Sequence, residues 1–227
     1  MKAMILAAGR GERMRPQTDH TPKPLLTAAG KPLIEYHLER LKSAGYDDIV
    51  INLHHLGEQI RERLGDGSRF GLSIRYSVES PALLETGGGI HQALPLLGDG
   101  PFLVINGDIW TECDLTPPVL NDNLLAHLIL VPNPPHHPDG DFGLKKGMIQ
   151  SGGRTERFTF SGIGWYRAAL FDNCEPGAFP LAPLLRNAAA RNLISGTLCT
   201  QKWTDVGTPQ RLAELSGWLQ QRDGTVI

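Results

Sequence analysis

A chain of 227 residues with 41% hydrophobic and 20% charged residues has the composition of a globular protein, long enough for a substantial core. Its formal net charge of -2 leaves no electrostatic footprint for nucleic acid, and no apolar run approaches the roughly 20 residues that span a bilayer. The apolar part of Met1–Gly9 is only about six residues long, shorter than a secretion-signal core, and Arg10, Arg13 and Arg15 follow at once. Cys113, Cys174 and Cys199 are odd in number and far apart, which supports neither a disulfide framework nor a zinc site and points to a reducing, cytoplasmic compartment.

Along the chain, Ala3–Ala7 is a short apolar run ending in Ala8-Gly9, the pattern of a buried parallel strand. After a long polar loop, Pro32 opens a helix whose stripe is Ile34, Leu38 and Leu41, and Gly45 stops it. Ile49–Ile51 reads as a strand, Leu56–Leu64 as a helix and Leu72–Val78 as a strand. Ile90–Leu94 reads as a short helix after a glycine-rich turn, ended by Pro95. Phe102–Ile105 is a strand leading into Asn106-Gly107-Asp108. This alternation predicts a mostly parallel sheet with helices on both faces. Farther on, Leu128–Val131, Phe142–Leu144 and Phe160–Tyr166 are strand-like, while Pro183–Ala190 and Arg211–Gln221 are helical, a pattern that fits an appended lobe for a second substrate. With neither repeat nor linker, residues 1–227 read as one domain. Functional groups in such sheets gather beyond the carboxyl ends of the strands.

The first of those loops reads Leu6-Ala7-Ala8-Gly9-Arg10-Gly11-Glu12-Arg13-Met14, followed by Thr21-Pro22-Lys23-Pro24-Leu25. Glycines let backbone N–H groups approach phosphate oxygens, and Arg13, Arg15 and Lys23 can neutralise a triphosphate. A dinucleotide fingerprint fails because its third glycine is Met14. A P-loop fails because Leu25 stands where its first glycine is needed and Pro32 follows Gly30-Lys31. A second loop, Glu79 with Leu84-Glu85-Thr86-Gly87-Gly88-Gly89-Ile90, opens space for a flat base at a helix start. Asp108 and, near Trp203-Thr204-Asp205, a second aspartate offer hard oxygen ligands of the kind Mg2+ prefers. Asp205 also reads as a turn residue before a helix capped by Thr208 with Pro209 in its first turn.

Leu-Ala-Ala-Gly-x-Gly-x-Arg followed by Pro-Lys-Pro-Leu resembles the signature of the sugar-1-phosphate nucleotidyltransferases, and the later motifs extend the resemblance over essentially the whole chain. It implies a Rossmann-like three-layer α/β/α fold with a mostly parallel central sheet and a small sugar-binding lobe. It further implies a nucleotide site of Ala8, Gly9, Gly11, Glu12, Arg13, Lys23, Glu79, Gly87 and Gly88. Asn106, Asp141, Gly143 and Gly162 would meet the sugar, Asp108 and Asp205 would hold Mg2+, and Arg13, Lys23 and Asp108 would carry catalysis. The Glu-Lys-Pro segment of the glucose 1-phosphate enzymes is not evident, and Arg154-Thr155-Glu156-Arg157 stands in that region.

The compact length, Leu-Glu-Thr-Gly-Gly-Gly-Ile and Phe-Ser-Gly-Ile-Gly are most similar to the family's uridylyltransferases of peptidoglycan recycling. The implied partners are UTP and a sugar 1-phosphate, namely N-acetylmuramate α-1-phosphate, with no nucleic acid or membrane and a monomer or small homo-oligomer. A mannose-1-phosphate guanylyltransferase, a phosphocholine cytidylyltransferase and a non-catalytic nucleotide-sugar sensor stay open. A metal-dependent glycosyltransferase would need Asp139-Gly140-Asp141 as its metal motif, but this lies in a Pro/His-rich loop. The pairs His54-His55 and His136-His137 have no partners at ligand spacing and read as solvated loop residues; Trp165 and Trp218 read as core or helix-face residues.

Overall fold

In a computed structural model, residues 1–152 and 155–223 are described; Arg154 of the Arg-Thr-Glu-Arg segment lies outside the described residues. The first half alternates β1 (Lys2–Leu6), the small hairpin β2 (Thr27–Ala28) and β3 (Lys31–Pro32), α1 (Leu33–Ser43), β4 (Asp48–Leu53), α2 (Gly57–Leu64), β5 (Ser73–Val78), α3 (Glu85–Leu97) and β6 (Phe102–Asn106). The second half adds β7 (Ile109–Thr111), β8 (Ala126–Val131), β9 (Phe142–Lys145), β10 (Met148–Gln150), β11 (Arg157–Tyr166), α4 (Leu181–Ala190), β12 (Ile194–Leu198), β13 (Trp203–Asp205) and α5 (Pro209–Asp223).

Nine strands form one sheet in the order β5-β4-β1-β6-β11-β8-β12-β10-β9. The part made by β5, β4, β1 and β6 is parallel. Beyond it the sheet is mixed, with β10 and β11 running against the other strands. Alternate residues of each strand enter different layers. On β1, Ala3 and Ile5 pack with Ile34, Leu38 and Leu41 of α1, while Met4 packs with Ile90 and Ala93 of α3 and Leu185 of α4. A third cluster seats Leu212, Leu215 and Leu219 of α5 on Leu26, Ala28 and Trp110. The β2–β3 hairpin is therefore held by the far end of the chain. Trp165 is buried as expected, and Trp218 meets Trp110 edge to face on α5.

Several expectations are corrected. The helix expected over Ile90–Leu94 starts at Glu85, takes in all three glycines and passes through Pro95. Pro95 is exposed in the final turn, where the bond it removes is close to the helix end. At α1 the reading holds: Pro32 precedes the helix, and Gly45, in the left-handed region, follows its C-cap. The cysteine reading does not hold. Cys113 and Cys199 are disulfide-bonded across a sequence separation of 86. The fold overrides that separation, because Glu112 N–H donates to Lys202 O and lays the two segments side by side.

Helix α1 also buries a histidine. His37 of α1 is 1% exposed, and its Nε2 has no hydrogen-bond partner among the described residues. Burial holds its imidazole down at about 4, against a smaller opposing pull from Asp108. Because the unfolded chain binds the proton more tightly, stability declines as pH falls through about 6.5 and the penalty levels off near the folded value of about 4. His37→Leu should make the unfolding free energy less acid-sensitive, shrinking its change between pH 7 and pH 4 by about 3 kcal/mol. Urea titrations at the two pH values check this, and an equal decline in both proteins would remove His37 as the cause.

Candidate active site

The carboxyl ends of β1, β4, β5 and β6 open into a cavity of about 660 Å3, lined by Leu6–Met14, Lys23, Asn52, Glu79, Leu83, Glu85, Thr86, Asn106–Asp108 and Gly207. The loop after β1 turns at Gly11, whose φ is +63°, and a Cβ there would lie 2.8 Å from the Thr18 methyl. Thr18 Oγ1 donates to Gly11 O at 2.8 Å, so the turn is packed as well as bent. At Gly9 a Cβ would meet nothing within 4 Å. Its missing side chain thus leaves room in the cavity and relieves no clash. Arg10 and Arg13 are exposed at the mouth and form no ion pair among the described residues.

Buried polar bonds fix the cavity floor. Asn52, at the end of β4, accepts the Ala7 N–H at 2.7 Å and donates through Nδ2 to Glu79 Oε1 at 2.7 Å. Glu79 Oε2 accepts the Leu84 N–H at 2.8 Å. Three strand ends and the approach to α3 are therefore linked through two side chains, each with its polar atoms satisfied.

Asn106-Gly107-Asp108 carries the acidic wall. Gly107 N–H donates to Leu6 O at 2.9 Å, and a Cβ at Gly107 would fall 2.6 Å from that oxygen. Only glycine lets this turn approach β1 so closely, and the turn aims Asp108 back over the loop. There Lys23 Nζ pairs with Asp108 Oδ2 at 2.6 Å, with side chains 9% and 35% exposed. Asp205 enters from β13, opposite Ile109 of β7, and Val206 N–H donates to Asp108 O at 2.7 Å. Asp205 is paired with Arg211 and lies 3.0 Å from His136 Nε2.

This donor set fits a magnesium ion. Asp108 and Asp205, partly exposed and carried on backbone segments that lie side by side, are hard oxygen ligands, and Mg2+ takes one or two carboxylates with phosphate and water completing its shell. No group of three or more metal-ligating side chains occurs among the described residues, so any further ligands would come from phosphate and water. The turn reading of Asp205 is compatible with this. Thr208 Oγ1 accepts the Arg211 N–H at 3.3 Å as an N-cap, and Pro209 opens α5.

Of the expected site residues, Ala8, Gly9, Gly11, Glu12, Arg13, Lys23, Glu79, Asn106 and Asp108 line this cavity. Gly87 and Gly88 do not, which corrects the idea that they make space for a base. A Cβ at Gly87 would strike the Phe179 ring at 2.5 Å, and one at Gly88 would lie 2.1 Å from Gly177 O. Their N–H groups both donate to Phe179 O. Of the expected sugar residues, Asp141, Gly143 and Gly162 also lie outside the lining, as does Asp205. Gly162, at a bulge in β11 with φ of +80°, backs onto Asn106, and Gly143 packs against Thr155 and Gln150. Asp141 accepts the Phe160 N–H at 2.8 Å and faces His137 at 3.2 Å, bonds that shape the loop. The histidines expected to be solvated are loop fasteners: His54 Nδ1 lies 2.9 Å from Glu79 O and His55 Nε2 lies 3.0 Å from Thr18 O. Asn52 was missed, although a polar residue directly after Ile49-Val50-Ile51 stands where such sheets place their sites.

The nucleotidyl transferase family model matches residues 2–159. The N-acetylmuramate alpha-1-phosphate uridylyltransferase of Neisseria meningitidis is 56% identical over 225 residues, covering 94% of this chain and 96% of its own. The enzyme of that name from Caulobacter vibrioides is 34% identical, covering 92% of each chain. Among solved structures, a Bacillus anthracis protein assigned as a glucose-1-phosphate thymidylyltransferase, crystallised with sucrose, superposes with a TM-score of 0.83 at 25% identity, covering 96% of this chain and 94% of its own. The family match over residues 2–159 and these full-length similarities show that the chain belongs to the nucleotidyl transferase family as a sugar-1-phosphate nucleotidyltransferase.

Proposed function

We propose that this protein transfers UMP from UTP to N-acetylmuramate α-1-phosphate, giving UDP-N-acetylmuramate and pyrophosphate as a step of peptidoglycan recycling. The observation that carries this is the 56% identity to the Neisseria enzyme across 94% of the chain. The cavity chemistry supports it. The glycine turn leaves room for phosphates beside Gly9, and the exposed guanidinium of Arg13 stands at the mouth to meet the triphosphate.

The sugar phosphate oxygen attacks the α-phosphorus in line, forming the new P–O bond as the bond to pyrophosphate breaks. Such a transfer needs positioning and charge compensation more than covalent help. Lys23, held by Asp108, reaches the α- and β-phosphates, and Arg13 offsets the incoming charge. Asp108 and Asp205 would hold Mg2+, which when bound supplies Lewis-acid neutralisation of the phosphate oxygens. Asn52 and Glu79, each locked in its hydrogen bonds, keep the floor beneath the nucleoside rigid.

The test is pyrophosphate release from UTP and N-acetylmuramate α-1-phosphate with Mg2+, run beside GTP with mannose 1-phosphate. Release in the first mixture alone is expected, and release in the second alone would replace the acceptor and base. Asp108→Asn should lower kcat at least about 100-fold with the circular dichroism spectrum unchanged. Turnover near the wild-type level would remove Asp108 from the catalytic set. Asn52→Leu strips partners from Glu79 and the Ala7 N–H, and should cost about 1–3 kcal/mol of stability and raise the KM for UTP. Unaltered urea midpoint and KM would show the network to be dispensable.

A further inference from the structure

Beside Asp205 a second cavity, about 800 Å3 in volume, opens between the proline-rich loop 132–138 and the start of α5. One of its walls is stiff. Asn133 Nδ2 donates to Pro138 O at 2.9 Å and to Arg157 O at 3.0 Å, and its Oδ1 accepts from Thr159 Oγ1 at 2.9 Å. Gly207 lines the nucleotide cavity while Thr204 and Thr208 line this one, so the short Asp205–Gly207 segment stands between the two.

Arg211 commands that partition. Its Nη1 holds Asp205 and lies 2.7 Å from His136 Nε2. Its Nη2 lies over Gly207, where a Cβ would come within 2.6 Å, and takes part in no hydrogen bond among the described residues. The side chain is 16% exposed. A largely buried guanidinium side chain whose Nη2 still meets solvent and makes no hydrogen bond among the described residues is suited to a second carboxylate. The other cation on the cavity wall, Lys202, is exposed with its Nζ 5.4 Å from the Trp218 ring, whereas Arg211 alone is both largely buried and fixed beside Asp205; Glu214 accepts from Gln210 Nε2 at 2.9 Å.

Most sugar 1-phosphates bring one anionic group. The acceptor proposed above brings two, because its lactyl ether ends in a carboxylate, and enclosing that group demands a cation. We propose that Arg211 reads this carboxylate, with the lactyl arm in the second cavity and the sugar phosphate directed past Gly207 to the nucleotide. The assignment rests on the acceptor reading of the preceding section.

Calorimetric titration of wild type and Arg211→Met with UDP-N-acetylmuramate and UDP-N-acetylglucosamine, which lacks the lactyl arm, separates the two ideas. The wild type should bind the carboxylate-bearing product more tightly. The variant should lose about tenfold or more on that product alone, the worth of a charge-assisted hydrogen bond, and Arg211→Lys should recover part of it. Equal wild-type affinity for both products, no loss, or an equal loss on both would overturn the role of Arg211. Absence of pyrophosphate release from UTP and N-acetylmuramate α-1-phosphate by the wild type would instead overturn the acceptor reading.

Discussion

The ion pair between Lys23 and Asp108 closes the site, joining the loop after β1 to the turn after β6 across 85 residues of sequence. An ammonium with a side chain only 9% exposed requires a partner, since desolvating an unpaired charge is costly. The glycine loop therefore settles where Asp108 can be reached. Asp108 in turn occupies its place because Gly107 can lie against Leu6 O. The carboxylate keeps 35% of its side-chain surface open, so the pair combines a buried lysine with an anion still available to the cavity. Folding and charge compensation draw on one contact.

The parallel half of the fold was legible because its elements carry their own patterns. Ala3–Ala7, the Ile34-Leu38-Leu41 stripe and Ile49–Ile51 each bury a face that the sequence displays, and the structure uses those faces in its two main core layers. The mixed half was less so, for a topological reason. β11 inserts between β6 and β8, and β12 joins the far side of β8. Three-residue strands such as β7, β10 and β13 have too little sequence to announce themselves and exist because a partner lies alongside. The three glycines of α3 misled for a related reason. Glycine disfavours helix interiors, but here Phe179, Gly177 and Glu79 crowd the helix so closely that no side chain fits. Tertiary contact outweighed propensity.

The same division runs through the site. Gly9, Gly11, Lys23 and Asp108 were legible because close backbone approach and charge demand particular residue types at particular spacings. Asn52 was not, since a single asparagine after a strand has no spacing to mark it; its role depends on Glu79 arriving from another strand. The acceptor-side residues are harder still. Asp141 and Gly143 hold the loop geometry of the second lobe, and Arg211 gains its significance only when α5 folds back beside β13.

That return of the chain sets the geometry of the acidic pair. The β7–β13 ladder and the Val206 N–H to Asp108 O bond align the two aspartates through main-chain hydrogen bonds. The disulfide ties the segment after β7 to the segment before β13, close to the same ladder. The α5 cluster over Trp110 and Val206 presses the assembly onto the β2–β3 hairpin. The anions are thus carried by the backbone, whereas the cations that face them, Lys23 and Arg211, arrive on long side chains with several rotatable bonds. Carboxylates fixed in advance repel phosphate by themselves and so call for a cation between them, while Lys23 and Arg211, each held in an ion pair, keep positive charge beside them. A site that must accept one polyanion, split it and release another is well served by that pairing.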